Sequence, residues 1–237
     1  APELKSLALR DRHSAHLGAV PPDLRSVSTR LRGGLPQPVK VRFAHDLTAP
    51  RGLSVNSHAD SPPLHYPTPI SFARTLGTGY YLWKVDLKAA FRQIRVRRSD
   101  RHLLGIYFNG RFFIDIAMPL GHCWSPAFFD IITKSVVAEV LRRGVYLCDG
   151  YVDDFFGGAP TKARADADLR IILALFSELH LPVSPLKTVT PVQDMELLGV
   201  RISTIGHVYI YMDYAKLASL TFDLEEALGR RVITLFQ

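Results

Sequence analysis

Two adjacent carboxylates, Asp153 and Asp154, interrupt an otherwise aromatic and β-branched run, Tyr151-Val-Asp-Asp-Phe-Phe156. Most acidic pairs belong to a solvated face, but these flanks put the pair at the mouth of a buried hairpin, read over Tyr146 to Ala159. Two like charges in such a place repel and raise one another's pKa unless a cation is present. A divalent metal resolves that conflict, and hard oxygen ligands suit Mg2+.

The pattern around this hairpin is regular. Tyr80-Tyr-Leu-Trp-Lys-Val-Asp86 reads as a strand that ends on a third carboxylate, Asp86. Leu103 to Ile116 alternates about Asn109-Gly110, a hairpin signal. Ser125-Pro126 is a cap and first-turn pair, and Phe129, Ile132, Val136 and Val140 follow at helical spacing until Arg142-Arg143-Gly144. Thr161 to His180 is a second amphipathic helix, with Leu169, Ile172, Leu173, Phe176 and Leu179 on one face. Leu197–Ile202 reads as the closing strand. The order is strand, inserted hairpin, helix, hairpin, helix, strand, which is the β-α-β-β-α-β pattern of a ferredoxin-like split sheet in an α+β fold. In that topology the first strand and the second hairpin are neighbours, so Asp86, Asp153 and Asp154 can converge. Many non-enzymes share the topology, so function must come from the site.

Charge points to a partner class. The chain has 29 Lys+Arg against 22 Asp+Glu, a net charge of +7, which fits a polyanion. No apolar run reaches the ~20 residues of a membrane span, and no membrane partner is expected. Cys123 and Cys148 are the only cysteines, which argues against structural zinc or a disulfide framework and for a reducing compartment. His13 and His16 have near-helical spacing but no third ligand, and His122, Cys123 and Trp124 read as local packing. The first ~60 residues read as loosely organised, and Asp60–Pro69, with four prolines, resists a helix or central strand. The chain opens Ala1-Pro-Glu3 without a secretory pattern and reads as a piece of a longer product.

Five motifs in order, between about Val41 and Ile202, resemble those of reverse transcriptases. Tyr151-Val-Asp-Asp154 resembles the Tyr-x-Asp-Asp signature, and Val85-Asp-Leu-Lys-Ala-Ala-Phe91 the first palm motif. Met118-Pro-Leu-Gly-His-Cys-Trp-Ser-Pro126 is similar to Leu-Pro-Phe-Gly-x-x-x-x-Pro, with Met118 and Leu120 as apolar departures. Lys187 stands where the family has a lysine after the second palm helix, and Leu198-Gly199 resembles the primer grip.

The resemblance implies a right-hand polymerase. Fingers would occupy 1–79 and 95–124, the palm 80–94 and 125–212, and the start of a thumb 213–237, so that the thumb and downstream domains are largely absent. It implies two Mg2+ ions, with Mn2+ as the alternative, held by Asp86, Leu87, Asp153 and Asp154. Lys187 would protonate the leaving pyrophosphate. Arg42, with Lys40 as the weaker candidate, would hold the triphosphate, a task the forked guanidinium suits. Phe91 would be the steric gate against a ribose 2′-hydroxyl, Gly121 would border the nucleotide, and Pro126, Tyr151, Leu198 and Gly199 would meet template or primer. Without the resemblance, Phe91 reads as core, Gly121 as a turn residue and Lys187 as a surface lysine.

The implied function is RNA-directed DNA synthesis in a retroelement, with an RNA template, a DNA primer and deoxynucleoside triphosphates as partners. Asp46–Asn56 is similar to the fingers segment of DIRS-like elements. Two other readings stay open: an RNA-dependent RNA polymerase, which Phe91 disfavours, and an inactive or domesticated fragment that binds nucleic acid. The compartment within the cell, nucleus or cytoplasm, is not legible.

Overall fold

A computed structural model describes residues 45–60, 63–108 and 110–229. Its elements are α1 (Pro69–Ala73), β1 (Tyr81–Asp86), α2 (Ala90–Gln93), β2 (Gly105–Phe108), β3 (Arg111–Ile114), α3 (Ser125–Arg142), β4 (Cys148–Tyr151), β5 (Asp154–Ala159), α4 (Lys162–Glu178), β6 (Val189–Val192), β7 (Asp194–Leu197), β8 (Val200–Ser203), β9 (Tyr209–Tyr211) and α5 (Tyr214–Gly229). They divide into two compact units. One takes in the described residues up to Leu64 together with Ala89–Ile131, and the other His65–Lys88 and the described residues from Ile132 onward.

The second unit is built on an antiparallel sheet in the order β4-β5-β1-β6. With α3 and α4 as the two crossovers, this is the expected split β-α-β-β-α-β arrangement. Five of the six residues of β5 are buried, Phe155 and Phe156 completely, because both faces of the strand are covered. Phe155 meets Phe176 of α4 edge-on, with ring centroids 5.0 Å apart, whereas Phe156 meets Phe72 of α1 at 4.8 Å. Phe72, Leu82 and Phe156 then form a core cluster with Met195, Leu197 and Ile202 of a second sheet, ordered β7-β8-β9.

The helix boundaries follow local chemistry. Thr161 caps α4, its hydroxyl accepting from Arg164 N at 3.2 Å, and Ala165, Leu169, Ile172, Leu175 and Phe176 form the buried stripe. Leu179, read from its spacing as part of that stripe, lies past the helix end and is exposed. α1 starts inside the proline-rich stretch. Thr68 and Ser71 form a capping box and Pro69 takes the first turn, where its missing N–H costs nothing.

Two expectations are corrected. Leu197–Ile202 is not the closing strand. Leu198 and Gly199 are a two-residue turn, with φ of 46° and 91°, between β7 and β8, and the strand that closes the first sheet is Val189–Val192. Pro191 lies within that strand, which is tolerated because β6 is a sheet edge, where a missing donor costs little. Nor does Ser125 cap α3 through its side chain, since its hydroxyl donates to Pro119 O at 2.8 Å.

In the first unit β2 pairs with β3 as the expected hairpin. The backbone of 94–96 runs beside 116–118, through Val96 N to Ile116 O and Met118 N to Ile94 O.

Candidate active site

The carboxylates gather at one end of the β1–β5 pair. Asp86, the last residue of β1, faces Asp154, the first of β5, as its cross-strand partner. Tyr151 closes β4 opposite Asp154, so Val152-Asp153 is a two-residue turn. Val152 has φ of 54°, in the region that such hairpin turns normally give to glycine. A β-branched residue holds that conformation only when its surroundings enforce it. Two bonds do so here: Thr133 Oγ1 donates to Val152 O at 2.7 Å, and Leu87 N donates to Asp153 O at 2.9 Å. The turn is thereby fixed to α3 on one side and to the end of β1 on the other.

Lysines supply the nearest positive charge. Lys187 Nζ lies 2.5 Å from Asp86 Oδ2, a contact between a half-exposed lysine and a buried carboxylate. Ser184 N also donates to Asp86 O at 2.8 Å, which ties the turn bearing Lys187 to β1. Lys84 Nζ lies 3.1 Å from Asp154 Oδ1. Burial pushes the Asp154 carboxyl above its usual range; Lys84 opposes this, and the Asp153 and Asp86 carboxylates reinforce it. Asp153 and Asp86 thus both act on Asp154 electrostatically.

These observations bear on a metal. Carboxylate oxygens gathered at one strand end, with Asp86 and Asp154 each already drawing a lysine, form a donor set suited to a hard divalent cation. Among the described residues, no three acids, histidines or cysteines are gathered closely enough to hold an ion as they stand. Leu87 is a core side chain, 1 % exposed, and could offer an ion only its backbone carbonyl.

Other predicted residues lie elsewhere in the same unit. Tyr151 is partly exposed, its ring 4.7 Å from that of Tyr66. The Leu198–Gly199 turn is held by Lys216 of α5, whose Nζ donates to Gly199 O at 2.6 Å.

In the first unit, Phe91 of α2 is half-buried and packs edge-on against Phe129 of α3 at 5.6 Å. Gly121 has φ of 112°, and a Cβ there would stand 2.0 Å from His45 O, so glycine is required by a close backbone approach as well as by conformation. His45 N donates to Leu120 O, and Asn56 donates to Gly121 O, which fixes this loop ahead of the half-buried Pro126. Arg42, Lys40, His13 and His16 lie outside the described residues.

Sequence reasoning missed Lys84 and Thr133. Lys84 was within reach: two residues before Asp86 on a strand, it shares that residue's face. Nothing in the local pattern marks Thr133.

His45 carries a consequence for pH. It is 1 % exposed, and burial lowers its pKa below 6.5, with Asp115 and Asp46 opposing the shift. Burial lowers that of His122 as well. The unfolded chain then binds more protons than the folded one below pH 6.5, so stability is full above that value and falls as pH drops towards the folded-state values. Denaturant melts at pH 7.5 and 5.5 should show a loss that His45→Gln reduces; an unchanged pH dependence in that variant would contradict the assignment.

A family model for reverse transcriptase (RNA-dependent DNA polymerase) matches residues 30–202. The chain belongs to the reverse transcriptase family. Relatives of this reverse transcriptase domain include the Tf2-3 and Tf2-7 transposon polyproteins of Schizosaccharomyces pombe, each 26 % identical over 147 residues. Those alignments cover 61 % of this chain and 11 % of each polyprotein, so the chain spans about a tenth of their length. They do not bear on the DIRS-like likeness of Asp46–Asn56.

Among solved structures, a foamy viral protease-reverse transcriptase in complex with double-stranded DNA superposes with a TM-score of 0.60 at 21 % identity, over 72 % of this chain and 28 % of that one. The foamy viral enzyme in complex with an RNA/DNA hybrid gives 0.58 at 18 % identity, over 74 % and 24 %. These likenesses establish the reverse transcriptase fold.

Proposed function

We propose that this retroelement reverse transcriptase domain extends a DNA primer on an RNA template with deoxynucleoside triphosphates. Fingers occupy 1–79 and 95–124, the palm 80–94 and 125–212, and 213–237 begins a thumb. The observation that carries the reading is the pairing of Asp86 with Asp154 across β1 and β5, with Asp153 in the fixed turn between. Asp86, Asp153, Asp154 and the Leu87 carbonyl would hold two Mg2+ or Mn2+ ions, which supply activation of the primer 3′-hydroxyl and neutralisation of developing charge. The hydroxyl attacks the α-phosphorus and pyrophosphate leaves.

Lys187, kept beside the carboxylates by Asp86, would hand a proton to the leaving pyrophosphate. Arg42, with Lys40, would bind the triphosphate, and Gly121 and Pro126 would shape the loop beneath nucleotide and template. Tyr151, Leu198 and Gly199 would meet the primer. The foamy viral neighbours bound to double-stranded DNA and to an RNA/DNA hybrid support nucleic-acid partners of this kind.

Phe91, five positions after Asp86, would exclude the 2′-hydroxyl. Primer extension on an RNA template with Mg2+ should use deoxynucleotides, and Phe91→Val should admit ribonucleotides at least about tenfold better, a difference of about 1.4 kcal/mol. Equal use of both sugars by the wild type would favour an RNA polymerase instead.

A further inference from the structure

Of the three acids at the β1–β5 end, Asp153 alone stands on a turn, so no strand ladder sets the direction of its side chain. A peptide group is planar, and a hydrogen bond to its carbonyl oxygen therefore orients the whole group. Both peptide groups that flank Asp153 are held in this way. Thr133 Oγ1 donates to Val152 O at 2.7 Å, which orients the group ahead of Asp153. Leu87 N donates to Asp153 O at 2.9 Å, which orients the group after it. With both planes set, the Cα of Asp153 and the direction of its Cα–Cβ bond are set as well. Leu87 acts through its backbone, so of these two donors only Thr133 uses a side chain.

Val152 is the reason such a hold is needed. Its φ of 54° is a conformation that a β-branched residue leaves unless its neighbours prevent it. Release would rotate the peptide group between Val152 and Asp153, and the carboxylate would turn with it. Thr133 is placed to stop that rotation. It is buried on α3, and its methyl and hydroxyl have separate tasks. A Cβ on Gly150 would stand 2.4 Å from Thr133 Cγ2, so the methyl occupies the place of a side chain on β4. A helical threonine divides between two χ1 rotamers. Here the methyl sits over Gly150 while the hydroxyl meets the turn.

We propose that Thr133 is a positioning residue for the reaction: through the Val152 carbonyl it sets the direction of the Asp153 carboxylate, without itself touching substrate or ion. The role rests on the polymerase reading, because only there does the direction of Asp153 have a kinetic consequence. Misplacing a reacting group by about 1 Å can cost about a hundredfold in rate. Thr133→Val keeps the shape of the side chain and removes the hydroxyl. Primer extension by that variant should lose about tenfold or more in kcat, with the KM for deoxynucleotide within about twofold. Thr133→Ser keeps the hydroxyl and gives up the methyl, and should stay within about threefold of the wild type. A role in packing alone predicts the reverse order, since the methyl is the group that packs against β4.

Amide hydrogen exchange at Leu87 reads the same hold without catalysis or divalent ions. Its N–H is bonded to Asp153 O, so a turn freed on the Thr133 side should loosen this bond too. Thr133→Val should lower Leu87 protection at least about tenfold, and Thr133→Ser should not. Glycine takes a φ of 54° without strain, so in a Val152→Gly background the change Thr133→Val should leave Leu87 protection as Val152→Gly alone sets it. Unchanged protection in Thr133→Val would overturn the hold on the turn. Extension by Thr133→Val within about threefold of the wild type, or by Thr133→Ser as poor as by Thr133→Val, would overturn the positioning role and leave the polymerase reading intact. Lowered protection in Thr133→Val with no extension by the wild type would remove the polymerase reading and the kinetic role with it, leaving Thr133 as an anchor of the turn.

Discussion

Asp86→Asn should reduce primer extension at least about a thousandfold, the several kcal/mol expected when a carboxylate that would hold the catalytic ions becomes a neutral amide. The fold should survive. Asp86 is a buried carboxylate whose partner, Lys187, is half exposed and can turn back into water. Removing the acid therefore strands no buried charge, and stability should shift by no more than about 1 kcal/mol. Lys187→Met is the opposite case, because it leaves Asp86 buried with its lysine gone. That variant should melt lower than the wild type without divalent ions and regain more stability than the wild type when Mg2+ is added. Extension by Asp86→Asn within tenfold of the wild type would contradict its role.

Gly157→Ala should be the most damaging small change in the palm sheet. Gly157 lies on β5 opposite Trp83 of β1, and a Cβ there would stand 2.2 Å from Leu147 O and 2.3 Å from Trp83 Cζ2. One obstacle is backbone and the other a fully buried indole, so neither can give way cheaply. Overpacking of this kind costs about 3 kcal/mol, the upper end of its usual range. Gly158→Ala is the control. Its nearest obstacles are the tips of Leu82 and Leu76 side chains at 3.0 and 3.3 Å, and a much smaller loss is expected. Equal midpoints for the two variants in urea would show that the indole is not held as described.

Much of this was legible because the palm is written in strong local signals. The Tyr146–Ala159 hairpin, the capped helix from Thr161 and the strand ending at Asp86 all carry periodicity or turn chemistry that few other structures satisfy. Adjacency of β1 and β5 followed from topology, and with it the facing of Asp86 and Asp154.

The errors share a cause, which is tertiary context overriding a local rule. Leu198 reads as strand until its φ of 46° shows a turn, a conformation that favours Asn or Gly and not Leu. Ser125 reads as a cap, but the Pro119 carbonyl takes its hydroxyl. Val152 gives no hint of its left-handed backbone, because the bonds that hold it come from Thr133, distant in sequence, and from Leu87. The lysines on Asp86 and Asp154 were only half seen. Lys187 carries the expected proton-donor role, while no motif marks Lys84.

The most direct test of the central claim is primer extension on an RNA template with deoxynucleotides and Mg2+, comparing the wild type with Asp153→Asn. The account predicts template-directed extension by the wild type and none by the variant, with matching circular dichroism spectra and melting curves. Near-normal synthesis by Asp153→Asn would contradict it, because the turn carboxylate would then have no part in the chemistry.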